Sequence, residues 1–467
     1  MTPTVFRNSD ELLENASSDI LLRLRMDALD ILEAAVNAVD PGEAVRRNLN
    51  LKGTILTICG LKWDLNHFGG IHVIGGGKAC GAMAETVEEI LGNRISSGEV
   101  NVLKGTESRH NLNRISINGA SHPIPDVESV AGVKRMMKML DNVDSTDLVI
   151  VLISGGGSSL LAYPAEGIAL EDIQDVTQKL LKSGATISEI NAVRKHLSAV
   201  KGGRLVQRSQ QATVIGLILS DVVGDPLDTI ASGPTAPDET TFGDARAVLE
   251  RYGIWEGAPQ MVKEHLEEGD LGMIPETPKP GYPIFQRVQN FVIGSNLVAA
   301  RAAVERAREL GYNSDLISTE VEGEARKVGR SFAKAALDVI QYGSPIQTPA
   351  VLVAGGETTV SVTGSGVGGR NMEVALAISE GIEDMVCVVA AFATDGIDGP
   401  TVAAGAMVDG STQIKAKARG IDPLKYLSEN DSYTFFKSLG DAFITGPTGT
   451  NVNDLIIILV LDQEESV

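Results

Sequence analysis

From Gly70 onward, short runs of branched apolar residues alternate with amphipathic stretches, the pattern of a parallel sheet connected by crossover helices. Buried strands are expected at Ile71–Ile74, Leu148–Ile153, Thr213–Leu219, Phe291–Ile293, Ala350–Val353, Val386–Phe392 and Leu455–Leu461. Helical steps of three and four run through Met26, Leu29, Ala34 and Val36, and again through Ala79, Met83, Val87 and Ile90. The predicted class is α/β: two domains with mainly parallel sheets flanked by helices, and an active site in the cleft between them.

Periodicity fails over 269–283, where Pro275, Pro278, Pro280 and Pro283 crowd together, so domains are expected at 1–275 and 284–467. The stretch 343–349 reads instead as a connection inside the second domain, since an apolar strand resumes at once.

With 467 residues and 43% hydrophobic content the chain can bury a large core. Its net charge of -21 argues against nucleic acid and requires that any phosphate-bearing ligand meet a local cationic cluster. Cys59, Cys80 and Cys387 are scattered, which fits neither a disulfide framework nor a zinc site and suggests a reducing, cytoplasmic setting. Residues 1–20 lack a signal-peptide core, and no apolar run approaches the roughly 20 residues of a membrane span, so no membrane partner is expected.

Candidate chemistry lies in the turns after the strands. Ile71–Ala79 ends in Gly75, Gly76, Gly77 and Lys78, where backbone N–H groups, a helix start and an ammonium suit an anion. It is not a Walker A loop, and Cys80 replaces the third glycine of a dinucleotide fingerprint. Ser154, Gly156, Gly157 and Ser158 form a second nest of donors after Leu148–Ile153. The basic segment 191–203 offers Lys195 as a binding group, with His196 read as packed by default. Asp225, beyond the strand at 213–219, is the preferred catalytic acid, although aspartate before proline also makes ordinary turns. In the second half, Asn296, Glu357 and Gly369 are further binding candidates, and Arg370 at a helix start would present a planar cationic fork to phosphate oxygens. Asp395 and Asp454 are the candidate magnesium ligands.

In order along the chain, GGGKA (75–79), SHPIPD (121–126), SGGGSSLL (154–161), VRKHLSAVKGG (193–203), SDVVGDPLDTIASGPT, IGSN (293–296), GGETTV, GGRNMEVAL, ATDGIDGPTVAAGA and GPTGTNVNDL resemble the glycerate 2-kinase family over nearly the whole length. That resemblance implies a Rossmann-like glycerate kinase domain followed by a MOFRL domain. It also implies ATP-dependent phosphorylation of D-glycerate at the 2-hydroxyl, with Mg2+. Its important lysine and arginine fall on Lys78 and Arg370, its aspartate less firmly on Asp225. A homodimer is compatible with the sequence. Two rival readings are an NAD(P)H-dependent hydroxypyruvate reductase, weakened by the incomplete fingerprint, and a nonenzymatic sugar-acid sensor, which would need no catalytic lysine, arginine and aspartate.

Overall fold

The computed structural model describes residues 5–462. They fall into two compact units: Pro41–Ile293, and the chain up to Asp40 together with Gly294 onward. The division therefore differs from the expected one at 275/284. The proline-rich stretch runs into a 3-10 turn, Pro283–Arg287, and the next strand, Val288–Gly294, joins the first unit's sheet. Prolines mark where elements stop, whereas pairing decides which unit a strand joins.

The first unit is built on six strands: β1 Ile71–Gly76, β2 Ser97–Leu103, β3 Ile115–Ala120, β4 Leu148–Ile153, β5 Thr213–Leu219 and β6 Val288–Gly294. Their spatial order is β3-β2-β1-β4-β5-β6, and the pairs β1–β2, β2–β3, β1–β4 and β4–β5 are all parallel. This is a doubly wound sheet whose connections reverse direction between β1 and β4. Helix α1 (Cys80–Leu91) follows β1, and α2 (Val127–Leu140) follows β3. Helices α3 (Leu170–Ser183) and α4 (Ile187–His196) lie between β4 and β5 in the chain. A small antiparallel sheet, Leu49–Lys52, Ile55–Ile58 and Leu61–Asp64, precedes them.

Strand β4 reads LVIVLI because both of its faces are covered. Leu148, Ile150 and Leu152 pack in one core cluster, and Val149, Val151 and Ile153 in another. Each such side chain contributes about 1.5–3 kcal/mol on burial.

The second unit carries β7 Asn313–Glu324, β8 Ala350–Thr359, β9 Cys387–Ala393, β10 Gly405–Asp409 and β11 Asp454–Val460, in the order β7-β8-β11-β9-β10. Only β7–β8 is parallel, while β8–β11, β9–β11 and β9–β10 are antiparallel. The expectation of a mainly parallel sheet therefore fails here. Alternating burial is the same for either strand direction, so periodicity could not have revealed that β11 inserts in reverse between β8 and β9.

One face of this sheet packs on α6 (Ala325–Tyr342) and α7 (Arg370–Ser379). The other packs on α5 (Asn296–Glu309) and on the early helix Asp19–Ala38. That early helix buries Leu24, Ala28, Leu32 and Ala35, whereas Met26, expected on the apolar face, is 52% exposed. Arg25 sits inside the same packed face. Its Nη2 lies 2.6 Å from Asp409 Oδ2 and its Nη1 2.7 Å from Asp441 Oδ1, all three groups fully buried. Among the described residues no helix is long and apolar enough to cross a membrane.

Candidate active site

The connections of the first sheet reverse between β1 and β4, and in such sheets the gap beyond the carboxyl ends of the two strands is open to a ligand. Both glycine-rich turns of this unit occupy that place. The backbone N–H of Lys78 donates to the Gly155 carbonyl (2.9 Å), and that of Ala79 to Ser154 Oγ (3.0 Å). The glycines are required by close approach. A Cβ on Gly75 would stand 2.1 Å from the Leu152 carbonyl oxygen, and one on Gly77 2.1 Å from Ser154 Oγ. Gly156 takes the left-handed conformation (φ +80°) that starts the short helix Gly157–Leu160.

The structure thus brings together Gly76, Gly77, Lys78, Ser154, Gly156, Gly157 and Ser158. Lys78 is exposed, and its ammonium has no ion-pair partner among the described residues. Two of the hydroxyls have structural tasks. Ser154 fixes the turn beside it, and Ser158 Oγ is 2.7 Å from Ser232 Oγ, which in turn donates to Asn191 (2.9 Å).

Beside this loop lies a cavity of about 510 Å³. Its polar groups include His122, Asn191, Arg194, Lys201 and Asp221, and its apolar side includes Ile124, Tyr163, Ile173, Leu181 and Ile187. The Lys201 amine donates to the Ser158 carbonyl at 2.7 Å. Burial, with Arg194 adding its charge, pushes that amine down to about 7. Burial likewise lowers the Arg194 guanidinium from its ordinary value. His122 is driven down to about 4 by burial and by Lys78, so it is neutral near pH 7.

Two expected residues lie elsewhere. Lys195 is buried at 3.2 Å from both Asp228 and Asp238 and is not among the residues lining the cavity. Successive helical positions diverge by about 100°, so Arg194 lines the cavity that Lys195 cannot reach. Asp225 occupies a turn with φ +55° and is not part of the cavity wall, where Asp221 stands instead. A Cβ on Gly155 would be 2.4 Å from Asp221 Oδ2, which places that carboxylate against the glycine loop. Sequence singled out both segments but could not rank neighbours within them. His196 is packed, its ring nitrogens at 2.7 Å from the Ala192 carbonyl and 2.9 Å from Glu276.

In the second unit Arg370 is the first residue of α7. Its Nε and Nη2 engage the two oxygens of Asp454 at 2.6 and 3.0 Å, while Nη1 reaches Glu357 at 2.6 Å. Burial would lower this guanidinium, but Asp454 and Glu357 outweigh it and raise its pKa. Burial pushes Asp454 up to about 7 against the pull of Arg370. Gly369 precedes the helix because a Cβ there would strike Asp398, 2.2 Å away. Asp398 accepts from the N–H groups of Asn371 (3.1 Å) and Met372 (2.8 Å), and so fills the anion position at the helix start itself.

The remaining expectations change role. Asn296 clips the start of β11, its Nδ2 donating to the carbonyls of Val452 (2.9 Å) and Asp454 (2.8 Å), while its Oδ1 is buried with no hydrogen-bond partner among the described residues. Asp454 is engaged by Arg370, and Asp395 accepts from the Ile397 N–H at 3.0 Å within its own turn. Among the described residues no group of three or more His, Cys, Asp or Glu side chains is placed to hold a metal ion.

Residues 27–267 match the family described as Domain of unknown function (DUF4147), and residues 350–454 match the MOFRL family. The chain is 43% identical over 445 residues to the glycerate 2-kinase of Pyrococcus horikoshii, covering 95% of this chain and 99% of the relative. It is 41% identical to a putative hydroxypyruvate reductase of Agrobacterium vitis, with 92% of this chain and 93% of the relative covered. A crystal structure of glycerate kinase from Thermotoga maritima superposes with a TM-score of 0.84 at 41% identity, covering 94% of this chain and 100% of that one. A doubly wound sheet in one unit and a MOFRL match in the other define the class, and the chain belongs to the glycerate 2-kinase family.

Proposed function

We propose that this protein transfers the γ-phosphoryl group of MgATP to the 2-hydroxyl of D-glycerate, giving 2-phosphoglycerate and ADP. One observation carries the reading: the two glycine turns, with Lys78 between them, meet at the reversal point of the first unit's sheet, where α/β enzymes hold phosphates. The identity to a glycerate 2-kinase over almost the full length supports the choice of acceptor.

In the reaction the glycerate oxygen bonds to the γ-phosphorus as the bond from that phosphorus to the β–γ bridging oxygen breaks. The hydroxyl proton passes to a base or to water. Such a transfer asks chiefly for positioning and charge neutralisation. The Lys78 ammonium and the amides of Gly155, Gly156 and Ser158 supply donors, and Asp221 takes over from Asp225 as the carboxylate that orients the hydroxyl. Magnesium enters with the triphosphate, an arrangement that needs only one or two protein carboxylates. We place the activity in the cytoplasm, in keeping with the free thiols Cys59, Cys80 and Cys387.

The hydroxypyruvate reductase reading is favoured by the name of the Agrobacterium vitis relative. It meets two obstacles. Cys80, buried with its thiol pushed up to about 12 by burial, takes the place of the third fingerprint glycine. β2 ends at Leu103 and runs into Lys104, where a dinucleotide site places a ribose-binding acid. Incubation of the protein with MgATP and D-glycerate, with the product resolved by 31P NMR, tests the proposal. ADP with 2-phosphoglycerate is expected, and NADH oxidation with hydroxypyruvate in place of that product would replace it.

A further inference from the structure

The cavity beside the glycine loop is lined by two cations, Arg194 and Lys201, that have no acidic ion-pair partner among the described residues, and by one carboxylate, Asp221. Arg194, half-buried near the end of α4, has no hydrogen-bond or ion-pair partner among the described residues. Lys201 is buried, and among the described residues its amine donates to the carbonyls of Ser158 (2.7 Å) and Leu161 (3.4 Å). The pKa of Arg194 is lowered by burial alone, and that of Lys201 by burial and then by the charge of Arg194. Holding two like charges together in a dry wall is unfavourable unless an anion joins them. In a chain of net charge -21 such a pair is out of keeping with the rest of the molecule.

The size and lining of the cavity indicate which anion. About 510 Å³ is far more than a three-carbon acid fills, and Ile173, Leu181, Ile187 and Tyr163 give an apolar side that a carboxylate with two hydroxyls would not use. A nucleotide has both an aromatic base and a multiply charged tail.

We infer that Arg194 and Lys201 form the anion-binding pair of this cavity and take phosphate oxygens of the nucleotide, whose base lies against the apolar side. This rests on the kinase reading for the identity of the polyanion. Arg194 offers a fork to two oxygens, and Lys201 keeps one proton on the Ser158 carbonyl while turning another to the ligand. Lys201 thereby ties the glycine loop to the ligand's charge.

Binding also carries a proton. The titratable or charged groups facing the cavity are His122, Tyr163, Arg194, Lys201 and Asp221. His122 is already neutral near pH 7, and Lys201 is close to half-protonated there. A polyanion beside Lys201 favours its charged form, so at pH 8 the complex takes up a proton.

Titration calorimetry of the full-length protein with ADP, at pH 8 in two buffers of different ionisation enthalpy, tests the assignment. Wild-type protein is expected to take up a fraction of a proton. Lys201→Met should abolish that uptake and weaken ADP at least tenfold, and Arg194→Gln should weaken ADP at least tenfold, with Arg194→Lys recovering part of the loss. The KM for D-glycerate should stay within twofold in the Arg194 variants. ADP affinity within twofold of wild type in Arg194→Gln, or a loss confined to the glycerate KM, overturns the inference. If wild-type protein binds ADP and loses it on these substitutions but does not phosphorylate D-glycerate, the pair stands and the kinase reading falls.

Discussion

At the scale of single residues, the basic segment 191–203 shows what sequence can and cannot settle. Its excess of positive charge in an acidic chain was legible, and two of its cations, Arg194 and Lys201, do line the cavity. Lys195 was expected as a binding group ahead of His196, yet it turns towards Asp228 and Asp238 while Arg194, one position earlier, lines the cavity. Only the packing of α4 fixes which side faces the ligand. Arg370 was read correctly as a cation at a helix start, but its carboxylate partners Asp454 and Glu357 lie 84 and 13 residues away in sequence and leave no local mark. Because all three of its contacts use separate guanidinium nitrogens, Arg370→Lys is expected to break the paired hold on Asp454 and to cost about 1–2 kcal/mol in urea unfolding. Stability within about 0.5 kcal/mol of wild type would mean that the two-pronged grip on Asp454 is dispensable. Lys201 makes a separate prediction about stability. Its folded pKa, depressed to about 7, means that between pH 7 and its unfolded value the unfolded chain binds the extra proton. Its contribution therefore rises with pH through that window, by about a kcal/mol per pH unit, and is lost as pH falls through 7. Urea unfolding at pH 7.5 and pH 9 should show this slope in wild type and a flatter one in Lys201→Met.

At the scale of elements, strands were the most legible feature. Leu148–Ile153 and Thr213–Leu219 match the structure residue for residue, since a fully buried strand is a bounded apolar run. Strands β2, β3, β7 and β10 were not found. β7, NSDLISTEVEGE, has no fully buried position and reads as polar, while β2 buries Glu99 and Asn101 among its apolar residues. Those two are held by Arg135, at 2.6 Å from Glu99, and by the carbonyls of Ser129 and Leu160, which accept from Asn101. The glycine turns were legible as turns, and the structure adds why glycine is needed. Gly75→Ala drives a methyl group into the Leu152 carbonyl of the neighbouring strand, so a loss of about 3 kcal/mol or more is expected in urea unfolding. A loss under about 1 kcal/mol would mean that β1 and β4 are not so closely apposed. Asp398→Ala leaves two N–H groups of α7 unpaired and should cost about 1–2 kcal/mol in the same measurement.

At the scale of the whole molecule, chain order misled where elements from distant parts of the sequence share a core. The early helix Asp19–Ala38 belongs to the unit formed by Gly294 onward, because its buried face covers Val351, Val353, Val388 and Ile457 and its Arg25 pairs with Asp409 and Asp441. No periodicity within residues 19–38 could name that partner. A fragment spanning 41–293 is accordingly expected to unfold cooperatively on its own. A fragment beginning at 294 should expose one face of its sheet and aggregate, and should be rescued when a peptide spanning the early helix is supplied. Cooperative folding of the fragment from 294 without that helix would show that the shared core is dispensable. The most direct test of the central claim is product-resolved turnover with MgATP and D-glycerate. The account predicts ADP and 2-phosphoglycerate in equal amounts, with loss of both in Lys78→Met. It is contradicted if no phosphoglycerate forms while NADH is oxidised in the presence of hydroxypyruvate.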